Sequence, residues 1–144
     1  MRTKNEFRAI RERCGITQAT LARQMGVSQR SVRYWEDADS RRTPPDEAWE
    51  ILDAALSRQR EALAYATAKV EKTMAVAEGE LAAVRLPYWL GEGEYLEAST
   101  DAAHGIRGDW RQANASNMAM AIALEARGIA VEWVEGNPAR PGIG

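Results

Sequence analysis

Within "SQRSVRYWED", residues 28–37, the side chains of Gln29, Arg30, Arg33 and Tyr34 fall at spacings that put them on the outside of a short helix, while Val32 and Trp35 face inward. A guanidinium presents a fork of N–H donors, and a carboxamide presents a donor beside an acceptor. The first matches guanine O6 and N7, the second adenine N6 and N7. Gln29, Arg30, Arg33 and Tyr34 are therefore the candidates for reading base edges in duplex DNA. A second group, Thr17, Gln18, Ser28, Arg41 and Arg42, falls at helix starts or in the loop that follows, where side chains and amides suit phosphate oxygens.

Other residues with chemical potential do not assemble into a reactive site. His104 is the single histidine and stands in a loop between Ala103 and Gly105; Cys14 is the single cysteine, placed at a core position. Neither zinc ligation nor a nucleophile with its base follows from one of each. Asp109 reads as a helix cap. "GEGEY", residues 91–95, lacks the Lys and the helix start of a phosphate loop. No enzymatic activity, metal or cofactor is expected.

The elements that position the first group can be read locally. Phe7, Ile10 and Cys14 have helical spacing in residues 4–14, and Gly15 ends that helix. Thr17 caps a helix over 18–25 that Gly26 closes, and Ser28 caps a third running to about Asp37. Counting Gln18 as the first position, apolar residues stand at Leu21, Met25, Val27, Val32 and Trp35, with Ala22 fifth and Gly26 ninth. Two helices crossing after a tight turn need a small residue where their backbones meet, and Ala22 meets that need. The turn needs a residue that takes positive φ without a Cβ clash, and Gly26 does so. Seven agreeing positions in one window make a helix-turn-helix.

Residues 5–56 resemble the Cro/CI-type helix-turn-helix family of phage and bacterial repressors, with "ITQATLARQMGVSQRSVRYWED" carrying the likeness. The resemblance implies that Gln18, Gln29, Arg30, Arg33 and Tyr34 contact operator DNA. It also implies that Glu36 pairs with Arg11 as a structural clamp; Trp35, facing inward by its helical spacing, is expected in the core. Where the family often has a Gly after "WE" and one more residue, this chain has Ala38.

The remainder of the chain differs in charge. Residues 1–60 hold 12 Lys and Arg against 9 Asp and Glu; residues 61–144 hold 7 against 12, within a net charge of −2. Phosphate contact is thus confined to the first part. With 144 residues, 45% of them apolar, the chain can bury a core. Its start lacks the apolar stretch of a signal peptide, and no window reaches the length of a membrane span, so a cytoplasmic protein without membrane contact is expected.

After "DADSRRTPP" a helix is expected from about Pro45 to about Val84, with Trp49, Leu56, Leu63, Val70, Ala77 and Val84 recurring every seven residues and Met74 and Leu81 joining late. That column either completes the first core and packs on the C-terminal part or forms an inter-chain coiled coil. "AVRLPYWLGEGEYLEA" reads as an edge strand around Pro87, a Gly-rich turn and an apolar patch; 97–108 as loop. A helix follows Asp109, paired with Gln112 as a capping box, and ends at Gly128; 129–135 alternates like a strand. The expected fold is mainly α: a five-helix-type helix-turn-helix domain at 1–57, a long helix with a small α+β dimerisation domain at 58–136, and a tail at 137–144.

The long helix from "PPDEAWEIL", then "VRLPYWL", then "GDWRQANASNMAMAIALEARG", is similar to small repressors that include anti-CRISPR-associated autorepressors. This implies a homodimer, formed through its C-terminal domain, that represses its own operon by binding an inverted repeat. A competing reading is an antitoxin-like interaction module whose partner surface surrounds Tyr88, Trp89 and Tyr95. RNA binding through the basic face is a third.

Overall fold

A computed structural model describes residues 2–76, 83–98 and 109–136. The fold is mainly helical, with an N-terminal helix-turn-helix domain, a long helix and a small two-stranded sheet. The chain divides into two compact units, Met1–Arg60 and Glu61–Gly144.

The first unit begins with α1 (Lys4–Arg13), capped by Thr3, whose hydroxyl oxygen accepts from the Glu6 amide. Gly15 takes φ +71 and turns the chain. Helix α2 (Gln18–Met25) is capped by Thr17 and ends on Gly26 at φ +69, where the Gly26 amide reaches back to the Ala22 and Arg23 carbonyls. Ser28 caps α3 (Gln29–Glu36) by accepting from the Ser31 amide. After Pro44 and Pro45, α4 (Asp46–Val76) opens with Asp46 and Glu47 in its first turn, where carboxylates complement the helix dipole. Its opening turns complete the unit, so the expected five helices are met by four segments because α4 does not break.

Phe7, Leu21, Val32 and Leu52 are fully buried, surrounded by Ile16, Ala22, Trp35, Ala48 and Leu56. The Phe7 ring meets Trp49 edge-on at 5.1 Å and Trp35 at 6.3 Å between centroids, an arrangement favoured by the ring quadrupoles. Val27, counted with the apolar motif positions, lies at the surface.

The second unit holds the rest of α4, β1 (Val84–Tyr88), α5 (Glu92–Ala98), α6 (Asp109–Ala126) and β2 (Val131–Glu135). The strands pair in parallel, from Val84 opposite Val131 to Tyr88 opposite Glu135. Pro87 sits in this two-stranded ladder opposite Val134. Leu86, Trp89, Ala121, Leu124 and Ile129 are buried, and Gly128 at φ +76 closes α6. Asn114, also buried, accepts from the Trp89 amide and donates to the Trp89 carbonyl, both at 2.8 Å.

Several expectations change here. Val84, the last member of the seven-residue column, starts β1 rather than ending the long helix. The Gly-rich stretch after Leu90 is the helix α5, not a turn, with Glu92 and Glu94 in its first turn. Ala98 still belongs to that helix, and β2 begins at Val131 rather than at 129. Trp89 is buried and stacks edge-on to the half-buried Tyr95 at 5.1 Å, so only Tyr88 of that trio is open to a partner. Ala77, Leu81, His104 and the 137–144 tail lie outside the described residues.

Candidate nucleic-acid interface

Helix α3 is held from one side. Arg11 on α1 donates to Glu36 through Nε at 2.6 Å and Nη2 at 2.7 Å, and its Nη1 donates to the Ile16 carbonyl at 2.9 Å. Both side chains are nearly excluded from solvent, 9% exposed for Arg11 and 3% for Glu36, so this pair is far less screened than a surface one. Gln18 Nε2 also donates to Glu36, at 3.3 Å.

A second fixture was not foreseen from sequence. The Lys4 ammonium donates to the carbonyls of Tyr34, Asp37 and Ser40 at 2.7–2.9 Å, using all three of its protons. It neutralises the C-terminal end of α3 and fastens the loop behind it. Within that loop Asp37 Oδ1 accepts from the Asp39 amide and Ser40 Oγ from the Arg42 amide. A Lys at the start of α1 reads locally as a solvated charge; its acceptors are backbone carbonyls 30 to 36 residues away.

On α3 itself, Gln29, Arg30 and Arg33 are exposed and Tyr34 is half-buried. Arg30, Arg33, Tyr34 and Asp37 line a concavity of about 460 Å³. Arg30 Nε donates to the Tyr34 hydroxyl at 2.8 Å, and the guanidiniums of Arg30 and Arg42 lie 5.5 and 4.9 Å from the Tyr34 ring centroid. Arg41 is exposed beside Arg42 in the loop.

The remaining candidates are engaged within the fold. Thr17 Oγ1 accepts from the Thr20 amide and donates to the Thr20 hydroxyl, and Ser28 Oγ accepts from the Ser31 amide and pairs with the Ser31 hydroxyl. Ala22 on α2 and Trp35 on α3 are both buried in the core of the first unit. Cys14 is buried too, and burial pushes its thiol pKa up, away from the reactive thiolate.

Among the described residues there is no cluster of three or more His, Cys, Asp or Glu placed to hold a metal ion, and no helix is long and apolar enough to cross a membrane. Residues 5–66 match a family described as a helix-turn-helix domain. This match and the α2–turn–α3 geometry support a helix-turn-helix DNA-binding segment. A comparison with curated proteins returned no match.

Proposed function

We propose that the protein is a sequence-specific transcriptional repressor that binds an inverted repeat as a homodimer and controls its own operon, in the manner of the small autorepressors of phages and mobile elements it resembles. One observation carries this reading: α3 is fastened by the Arg11–Glu36 pair and by Lys4 while its Gln29, Arg30 and Arg33 side chains stay exposed. A preorganised helix with exposed two-pronged donors suits the major groove. Arg41 and Arg42, in the tethered loop, grip phosphate.

The described exposed large apolar side chains support dimerisation through the second unit. Tyr65, Val76, Tyr88, Leu90, Met118, Ile122 and Trp133 all belong to it, whereas Val27 alone belongs to the first. Apolar side chains left in water on one unit give that unit more to bury against a partner than the first unit has.

Competition binding of the full chain against its preferred duplex and a scrambled one, at several salt concentrations, tests the reading. Arg30→Ala or Arg33→Ala costs roughly 1–3 kcal/mol per half-site on the preferred duplex and relaxes one base position. Arg41→Ala or Arg42→Ala weakens both duplexes and lowers the salt slope by about one unit. Parallel loss on both duplexes by all four variants makes the protein a general nucleic-acid binder, RNA included. A chain that stays monomeric until it meets a different protein is instead antitoxin-like.

A further inference from the structure

Tyr34 does not stand free to meet a base. Its hydroxyl accepts from Arg30 Nε at 2.8 Å, the Arg30 guanidinium lies over its ring, and the Arg42 guanidinium lies 4.9 Å from the same ring centroid. Its own carbonyl accepts from Lys4 Nζ at 2.9 Å, so the backbone that carries the ring is fixed as well. One residue thus connects a candidate base reader on α3, a candidate phosphate gripper in the next loop and the tether from α1.

The chemistry of arginine makes this connection consequential. A guanidinium can meet guanine O6 and N7 with the Nη1/Nη2 end or with the Nε/Nη2 side. When Nε is engaged by Tyr34, only the end remains as a two-pronged donor. Fixing the side chain beforehand also lowers the rotamer freedom lost on docking, and the electron-rich ring face offsets the proximity of two cations.

The geometry points to Tyr34 as a positioning residue: it presents Arg30 end-on to a guanine and keeps Arg42 at the adjoining phosphate, so that reading and gripping share one aromatic platform. This rests on α3 being the base-reading helix.

Three single variants of the full chain, Arg30→Ala, Tyr34→Phe and Tyr34→Leu, and the Arg30→Ala/Tyr34→Phe double variant test it. Each is measured by competition against the preferred duplex and its single-base variants across a salt series, with circular dichroism to check folding. Tyr34→Phe keeps the ring and removes only the hydroxyl. It lowers discrimination by roughly three- to tenfold at the position that Arg30→Ala relaxes, a fraction of a full guanine contact, and leaves other positions and the salt slope unchanged. Tyr34→Leu also removes the platform and lowers the salt slope by up to about one unit. In the Arg30→Ala background Tyr34→Phe adds nothing at that position.

Wild-type discrimination by Tyr34→Phe, where Arg30→Ala does relax a position, overturns the positioning role alone. Relaxation at a position that Arg30→Ala leaves intact also overturns it, and makes the hydroxyl itself a reader. If Arg30→Ala relaxes no position, the base-reading role of α3 falls together with this inference.

Discussion

Arg11 and Glu36, 25 residues apart, close a two-pronged ion pair between α1 and α3, and Arg11 spends its remaining edge on the Ile16 carbonyl. Removing one member leaves the other as an uncompensated, largely buried charge. Glu36→Gln or Arg11→Ala therefore destabilises the protein by about 3–5 kcal/mol. Urea titration followed by circular dichroism measures this. A midpoint within error of wild type would mean that the pair is solvated in solution and does not brace α3.

Gly26 links the two helices of the motif at φ +69, and a Cβ built there meets nothing within 4 Å. The cost of a side chain is thus conformational rather than steric. Gly26→Ala is expected to lose roughly 1–2 kcal/mol, the left-handed penalty of an L-residue. Gly26→Asn loses less, because Asn bonds locally in that region. Equal denaturation midpoints for Ala and Asn would place the strain elsewhere.

These two positions show what was legible in the sequence. Caps and turns depend on neighbours in the chain, so Thr17, Gly26 and Ser28 could be placed from residue type and spacing alone. The exposed residues of α3 followed from helical period. The bond from Arg30 to Tyr34 is allowed by their i, i+4 spacing, but many alternatives are too. Lys4 was unreadable, since its acceptors are carbonyls brought near by the fold. In the second unit, Val84 fitted a seven-residue column by coincidence although "VRLPY" runs as a strand. Glycines 91 and 93 suggested a turn, and the dipole-complementing Glu92 and Glu94 were the overlooked helix signal. The parallel pairing of β1 with β2 has no local signature at all.

Cys14 offers a pH test. Burial raises its pKa in the folded chain, so the unfolded thiol ionises first, near its ordinary value of about 8.5. The stabilisation tied to the neutral thiol is fully present below that pH and is lost as pH rises through the folded value. Wild type should therefore lose stability relative to Cys14→Ala as pH rises above about 8.5, measured as thermal midpoints across a pH series. Folded protein should also react slowly with a thiol reagent, and unfolded protein quickly. Rapid labelling under native conditions would contradict the burial.

Asn114 uses its carboxamide as a surrogate strand neighbour, satisfying both the N–H and the C=O of Trp89. Asn114→Ala leaves two buried backbone groups unpaired, at about 1–3 kcal/mol each. Asn114→Asp keeps the acceptor and loses the donor. Hydrogen exchange at the Trp89 amide separates the two: protection falls in the Ala variant and is better retained in the Asp variant. Unchanged protection in Asn114→Ala would show that another group holds that amide.

Dimerisation through the second unit is tested at side chains whose exposure makes them dispensable to the fold. Met118 and Ile122 lie one turn apart on α6, with Ile122 66% exposed, while Trp133 on β2 stacks edge-on against Tyr88 at 5.7 Å and is itself open to solvent. A carboxylate at such a position costs little in a monomer but faces desolvation in an apolar interface. Ile122→Asp and Leu90→Asp, the latter at a side chain 83% exposed, are thus expected to keep the helical spectrum while sedimenting as monomers where wild type sediments as a dimer. Their affinity for a two-half-site duplex should fall by orders of magnitude, because the second half-site no longer binds at high effective concentration. Affinity for a single half-site should be unchanged, since the α3 face is untouched. A wild-type chain that is monomeric at micromolar concentration would remove the dimer from the proposal, and dimeric variants would move the interface to other residues of the unit.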